Sequence, residues 1–243
     1  MMKPVHGRFL GLALALAIAP GGGAAAGTAV VELFTSQGCS SCPPADALLG
    51  AIADEPGVIA LSLHVDYWDG LGWTDPFGSA LHTERQRAYA AALDDGNAYT
   101  SGVYTPQMVI DGRHAVVGHA ADRVRAAIAA AVGRADSVVP RFDGPDRVVV
   151  PDGEGDDDAV VWAAHYDQRR ITEVERGENG GRTLVNHRVV RSLQRLGEWH
   201  GRRTGFAIDA AAARANGRDG VVIVVQRAGT GRIIGAADHS LGE

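Results

Sequence analysis

The sequence predicts an α/β domain, with a central mixed sheet flanked by helices, followed by a β-rich, sandwich-like C-terminal domain. Three observations predict it. Residues 27–136 alternate short β-prone apolar runs with helical patterns. Beyond Arg134 the texture changes to β-prone runs separated by Gly-rich polar turns, the pattern of an antiparallel sandwich. Pro140 and Pro145 interrupt any continuous element across residues 134–146, so the second domain is taken as 137–243.

Residues 1–26 precede both. Lys3 and Arg8 stand before an apolar run from Phe9 to Ala19, and Pro20 and a Gly/Ala stretch follow. That is the pattern of a signal peptide, with Ala24-Ala25-Ala26 as the cleavage signal and a mature start near Gly27. The run is about half the roughly 20 residues that a membrane span needs. The expectation is a periplasmic or secreted protein with no membrane span after cleavage. The full chain carries a formal charge of -6, and loss of Lys3 and Arg8 makes it more negative, which argues against nucleic acid as a partner.

The elements follow in order. Val30 to Phe34 is a strand signal ending at a polar Thr35-Ser36-Gln37-Gly38 turn, and Pro43 opens a helix with Leu48, Leu49 and Ile52 on one side. Val58 to Val65 reads as a parallel partner, since the intervening helix is the crossover a parallel pair requires. Residues 66–100 form an insertion, aromatic and Gly/Asp-rich over 66–80, then helical from Leu81 to Leu93. Gln107 to Ile110 and Ala115 to Val117 flank Asp111-Gly112, the strongest hairpin cue in the chain. A helix from about Ala120 to Val132 closes the series. In the second half the strand signals are Arg147–Val150, Ala159–Tyr166, Arg170–Glu175, Thr183–Leu193 and Gly220–Gln226. One turn among them is Gly177-Glu178-Asn179-Gly180-Gly181.

The only two cysteines, Cys39 and Cys42, stand in the stretch GCSSCPP. They form a redox pair, half of a metal site, or a small clasp. Placement at a helix start favours the first, because unpaired backbone amides there stabilise a thiolate. Cys39 is then the exposed nucleophile and Cys42, one helical turn deeper, the resolving thiol. Ser40 and Ser41 between them would contact substrate. As a clasp the bridge closes a loop so short that the entropic gain is only about 2 kcal/mol.

The segments VVELFTSQGCSSCPPADALL, HVDYWDGLGWTDPF, TERQRAYA and VYTPQMVIDG together resemble a bacterial family of exported thioredoxin-like proteins catalogued as domain of unknown function 1223. The resemblance is dense over the first domain and thinner over the second. It implies a thioredoxin-like fold and thiol-disulfide oxidoreductase chemistry on protein or small-molecule thiols. The likeness to thioredoxins also implies a cis peptide at Thr105-Pro106, lying against the cysteines with its neighbouring backbone available to substrate. Thioredoxins place an acid in the first strand. Glu32, one position from that register, is the candidate for that tuning role.

Among the neighbours, His64 and Asp66 end the second strand and are candidates to tune Cys39. The alternative is a Cu(I) metallochaperone using Cys39, Cys42 and His64, since thiolates and imidazole suit that ion. A third reading is a noncatalytic binding module. Trp68 and Trp73 are candidates for substrate contact or local core. Asn186-His187-Arg188 is expected to pack where the two halves meet. The scattered second-half histidines match no compact metal motif. No cofactor is expected under the redox reading. A reductase would need an electron-donating partner protein, and the β-rich half would serve recognition or dimerisation.

Overall fold

The computed structural model describes residues 1–2, 27–93, 102–132, 134, 138–153, 158–229 and 231–242. The expected signal peptide, apart from its first two residues, lies outside them, as do residues 94–100 of the insertion. Among the described residues no helix is long and apolar enough to cross a membrane.

The first half runs β1 (Ala29–Thr35), α1 (Pro43–Ile52), β2 (Val58–His64), α2 (Ala80–Ala92), β3 (Gln107–Ile110), β4 (His114–Val117) and α3 (Ala121–Val132). β1 pairs parallel with β2 and antiparallel with β3, and β3 with β4. Every residue of β1 is buried, as expected for a strand covered on both faces. Ala29, Val31 and Leu33 pack against Leu49 and Ile52 of α1 and Val124 and Ile128 of α3. Val30 and Phe34 point the other way, into a cluster with Tyr89 of α2 and Val222 and Val224 of the second half. The Asp111-Gly112 turn has positive φ at both residues, +51° and +58°, as a two-residue hairpin demands.

The second half runs β5 (Arg141–Phe142), β6 (Arg147–Val150), β7 (Asp158–Val174), β8 (Arg182–His200), β9 (Thr204–Ala207), α4 (Ala210–Ala215), β10 (Gly220–Arg227) and β11 (Ile233–Ser240). Its long strands do not form a sandwich apart from the first half. They extend the same sheet, whose order is β11-β10-β7-β8-β2-β1-β3-β4. The joint is β8 on β2, where Ser62 pairs with Val189. Burial explains it: β2 is apolar on both faces and needs a neighbour on its outer edge, which β8 supplies. A small sheet, β5-β6-β9, covers one face of the second half, with Val148, Val150 and Phe206 packed on Val161, Ala163 and Ile223.

The signals at Ala159–Tyr166 and Arg170–Glu175 belong to one continuous strand, β7, which absorbs two register shifts against β8. The β7–β8 ribbon is therefore long, roughly 55 Å at about 3.3 Å per residue. Its turn, residues 175–181, reaches back to the amino end of α1.

Candidate functional site

Cys42 is the N-cap residue of α1, and Pro43 fills the first helical turn, where a missing amide proton costs nothing. Cys39 and Cys42 form a disulfide with Cα atoms 5.5 Å apart. The carbonyl of Cys42 accepts from the amides of Ala45 and Asp46, so the helix begins at the bridge itself. The Ser41 hydroxyl lies 3.3 Å from Cys39 Sγ.

Cys39 was expected to be exposed; it and Cys42 are both wholly buried. Two segments cover them. From the β7–β8 turn, the fully buried Asn179 donates its side-chain amide to the carbonyls of Gln37 and Cys39, each at 2.9 Å, and Glu178 accepts from the Ser40 amide at 3.0 Å. From the 66–79 loop, Trp73 donates to Gln37 Oε1 at 3.2 Å. The two covers meet at Gly72 and Gly177. A carbon added at Gly72 would lie 3.4 Å from Gly177 Cα, and one added at Gly177 only 3.2 Å from Trp73 Cβ; both glycines hold left-handed φ. Gln37 knots the assembly, since Nε2 donates to Thr172 of β7 and Asn186 of β8. Ser40 and Ser41 remain exposed at the rim.

The Thr105-Pro106 peptide is cis. Pro106 packs by the first turn of α1: a carbon added at Gly118 would lie 3.1 Å from both Ala45 Cβ and Pro106 Cβ. Thr105 Oγ1 accepts from Trp68 Nε1 at 2.9 Å, so Trp68 fastens the covering loop to this strand entry while its ring packs into the core.

Behind the bridge lies a buried ionisable cluster. His64 Nδ1 donates to Asp75 Oδ2 at 2.7 Å, and the same oxygen accepts from the Gln37 amide. Burial alone would lower the His64 pKa, but the carboxylates of Asp75 and Asp46 outweigh it and the net direction is up. Burial would raise Asp75; His64 and the amides of Gln37 and Phe77 carry it below the usual carboxylate range. Asp46, in the first turn of α1, is fully buried, and burial lifts it to about 6 against the pull of His64. His82 of α2 donates to the His64 carbonyl and is held near 4 by burial, hence neutral. His64 Nε2 has no hydrogen-bond partner among the described residues, while Thr35 and Asn186 face the Asp46 carboxyl and pull its pKa down.

Two expected tuning residues stand elsewhere. Glu32 faces away from α1 and is clamped by Arg85 at 2.6 and 3.1 Å and by the Tyr89 hydroxyl, because it shares the parity of Val30 and Phe34. Asp66 accepts from the Thr83 hydroxyl at 2.6 Å and anchors the start of α2. The Cu(I) triad is not assembled. His64 turns to Asp75, and among the described residues no three His, Cys, Asp or Glu side chains stand where they could share an ion. Asn186-His187-Arg188 does lie at the joint: Asn186 accepts from Gln37, and Arg188 donates to the Ala60 carbonyl. Asp46 and Asn179 went unnoticed in the sequence. An acid in a first helical turn is ordinary, and an Asn among glycines is an ordinary turn residue.

A family model described as protein of unknown function (DUF1223) matches residues 30–226. Among solved structures, protein AGR_C_4864 from Agrobacterium tumefaciens is 32% identical, with 90% of this chain and 96% of that one covered and a TM-score of 0.74. HBP35 of Porphyromonas gingivalis is 12% identical, with 88% and 75% covered and a TM-score of 0.54, a likeness of fold alone. None of the curated proteins matches.

Proposed function

The chain belongs to the family described as protein of unknown function (DUF1223), and we propose that it works in thiol–disulfide exchange through Cys39 and Cys42. The observation that carries the reading is the bridge's position at the amino end of α1, where the positive end of the helix dipole favours a thiolate on reduction. The thioredoxin-like reading belongs to the same proposal. It is supported by the local strand order β2-β1-β3-β4, with β3 antiparallel to β1, and by Pro106 entering β3 beside the bridge.

Burial of both sulfurs shapes the proposal. The covering contacts include hydrogen bonds to a turn and a loop, so exchange proceeds when the 175–181 turn and the 66–79 loop part from residues 37–40. Protein thiols or disulfides approach from the exposed Ser40-Ser41 rim. Cys39 attacks or is attacked, and Cys42 resolves the mixed disulfide. The chain is exported by residues 1–26 to the periplasm or beyond, where oxidising conditions keep the pair bridged.

The test is equilibration of the purified chain against a glutathione or dithiothreitol series, reading the bridge by thiol trapping. Exchange chemistry requires a midpoint above about -300 mV, the range of exchangeable rather than structural disulfides. A bridge more stable than that is a clasp, and the proposal fails.

A further inference from the structure

A polar cavity of about 370 Å³ opens between α4 and the middle of the β7–β8 ribbon, within the size range of small-molecule sites. An irregularity in the ribbon shapes it. His165 of β7 pairs with Ser192 and Tyr166 with Val190, which leaves Arg191 as the extra residue of a β-bulge. A bulge re-aims side chains, so Arg191 and its neighbour Ser192 both line the cavity, where regular strand residues would face opposite ways. Asp209, Asn216 and Arg218 line it from the two ends of α4.

Charge is unevenly paired around it. Arg170, Arg191 and Arg218 all bond the fully buried Asp167, at 2.7, 2.9 and 2.7 Å. Asp219 also acts on Arg170, so three guanidinium groups share two carboxylates and one positive charge is left over. Arg191 makes a single hydrogen bond among the described residues, to Asp167, and its guanidinium lies 4.8 Å from the Phe77 ring. The rest of its five-donor fork suits a planar acceptor with two oxygens. Asp209 carries the opposite surplus. Its carboxylate accepts from the Ala212 amide at 2.9 Å, and no basic side chain bonds it among the described residues. His165 stands within electrostatic reach of both Asp209 and Arg218. It is 5% exposed, its Nδ1 meets the Ser192 hydroxyl at 3.2 Å, and its Nε2 has no hydrogen-bond partner among the described residues. A buried polar atom left so is costly, and a ligand can remove the cost.

We propose that this cavity binds a small zwitterion of the α-amino acid class, with its carboxylate on Arg191 and Arg218 and its ammonium on Asp209. His165 Nε2 supplies a further polar contact, and the neutral groups of Ser192, Gln194 and Asn216 face the ligand's side chain. The charge balance selects this class. A phosphate-like dianion would bring its second charge against Asp209, and a simple cation would meet Arg191 and Arg218; only a ligand with both signs answers both surpluses. The site is independent of the thiol–disulfide reading, since neither cysteine lines it.

The test is calorimetric titration of the purified chain at pH 7 with glycine, L-serine and L-glutamine, beside N-acetyl-L-glutamine, which lacks the ammonium, L-glutaminamide, which lacks the carboxylate, and inorganic phosphate. At least one of the three amino acids saturates a single site at millimolar concentration or below. Where glutamine binds, each blocked derivative is weaker by about tenfold or more, the worth of one charge-assisted contact. Asp209→Asn keeps the cap of α4, because Asn caps a helix as well as Asp does. It should weaken the amino acid by about tenfold and leave N-acetyl-L-glutamine within about twofold. Arg191→Gln should do the converse, weakening the amino acid and sparing L-glutaminamide. Three results overturn the proposal: no saturation by any of the three amino acids, phosphate binding as tightly as they do, or Asp209→Asn weakening the amino acid and its N-acetyl form equally. The last marks a disturbed fold instead of a lost ammonium contact.

Discussion

Two clusters of buried charge sit on opposite faces of the first strands, and they are built in opposite ways. On the α2 face, Glu32 receives two bonds from Arg85 and one from Tyr89, while Gln226 of β10 bonds Arg85, Tyr89 and the Gly231 carbonyl. Every polar side-chain atom of that set has a partner. On the α1 face, His64 has Asp75, but His64 Nε2 is left over and Asp46 is buried with no basic side chain bonded to it. A satisfied network fixes one arrangement and ties the two halves of the chain across the sheet. An unsatisfied one costs stability that close packing would not.

Removing one member of the satisfied set should give the largest effect. Arg85→Ala leaves the Glu32 carboxylate buried and unpaired, a loss of roughly 3–5 kcal/mol in urea unfolding. A loss near zero would mean that the α2 cluster is not what joins the halves.

The α1 cluster should respond with the opposite sign. Asp46 is raised to about 6 from 3.8, so between those values the folded chain holds more protons than the unfolded one, and stability falls as pH rises through about 6. His64 is raised above 6.5, so its contribution is complete below 6.5 and lost as pH climbs through the higher folded value. The parent chain should therefore be more stable near pH 5 than near pH 8. Asp46→Asn should remove much of that slope and stabilise the chain at pH 8 by up to about 3 kcal/mol, the worth of two pKa units.

A smaller effect is expected at the cover. Asn179→Ala deprives the Gln37 and Cys39 carbonyls of their side-chain donor, a cost of about 1–2 kcal/mol. Because those bonds hold the turn over the bridge, dithiothreitol should reduce the disulfide about tenfold faster, matching about 1.4 kcal/mol of easier opening. Equal reduction rates would show that access runs by another path. Least affected should be Glu178→Ala. The glutamate is fully exposed and its bonds to the Ser40 hydroxyl and amide keep it below the usual carboxylate range, but solvent screens it. Its unfolding midpoint should not move, and its reduction rate should rise less than that of Asn179→Ala.

Much of the first half was legible because its signals are local. The strand at Val30–Phe34, the helix opened by Pro43, the Asp111-Gly112 hairpin, the helix inside the insertion and the one after the hairpin each announce themselves within a dozen residues. The second half was read as separate strands because β7 carries polar Asp167 and Gln168 in its middle. Asp167 is buried only because Arg170, Arg191 and Arg218 gather on it. β11, with Gly235 and Asp238, has little strand propensity and exists because β10 offers it an edge.

The sequence alone determined that two thiols stand at a helix start, that a proline leads into the third strand, and that charge is excluded from most of β1 and β2. Those are consequences of nearest neighbours and of periodicity. Tertiary structure decided which acid lies behind the thiols and what covers them. Glu32 and Asp46 are both acids flanked by apolar residues; only the pleat of β1 and the turn of α1 send one to Arg85 and the other toward Cys42. Asn179 reaches Cys39 across 140 residues of chain, through the register of a ribbon that no local pattern encodes.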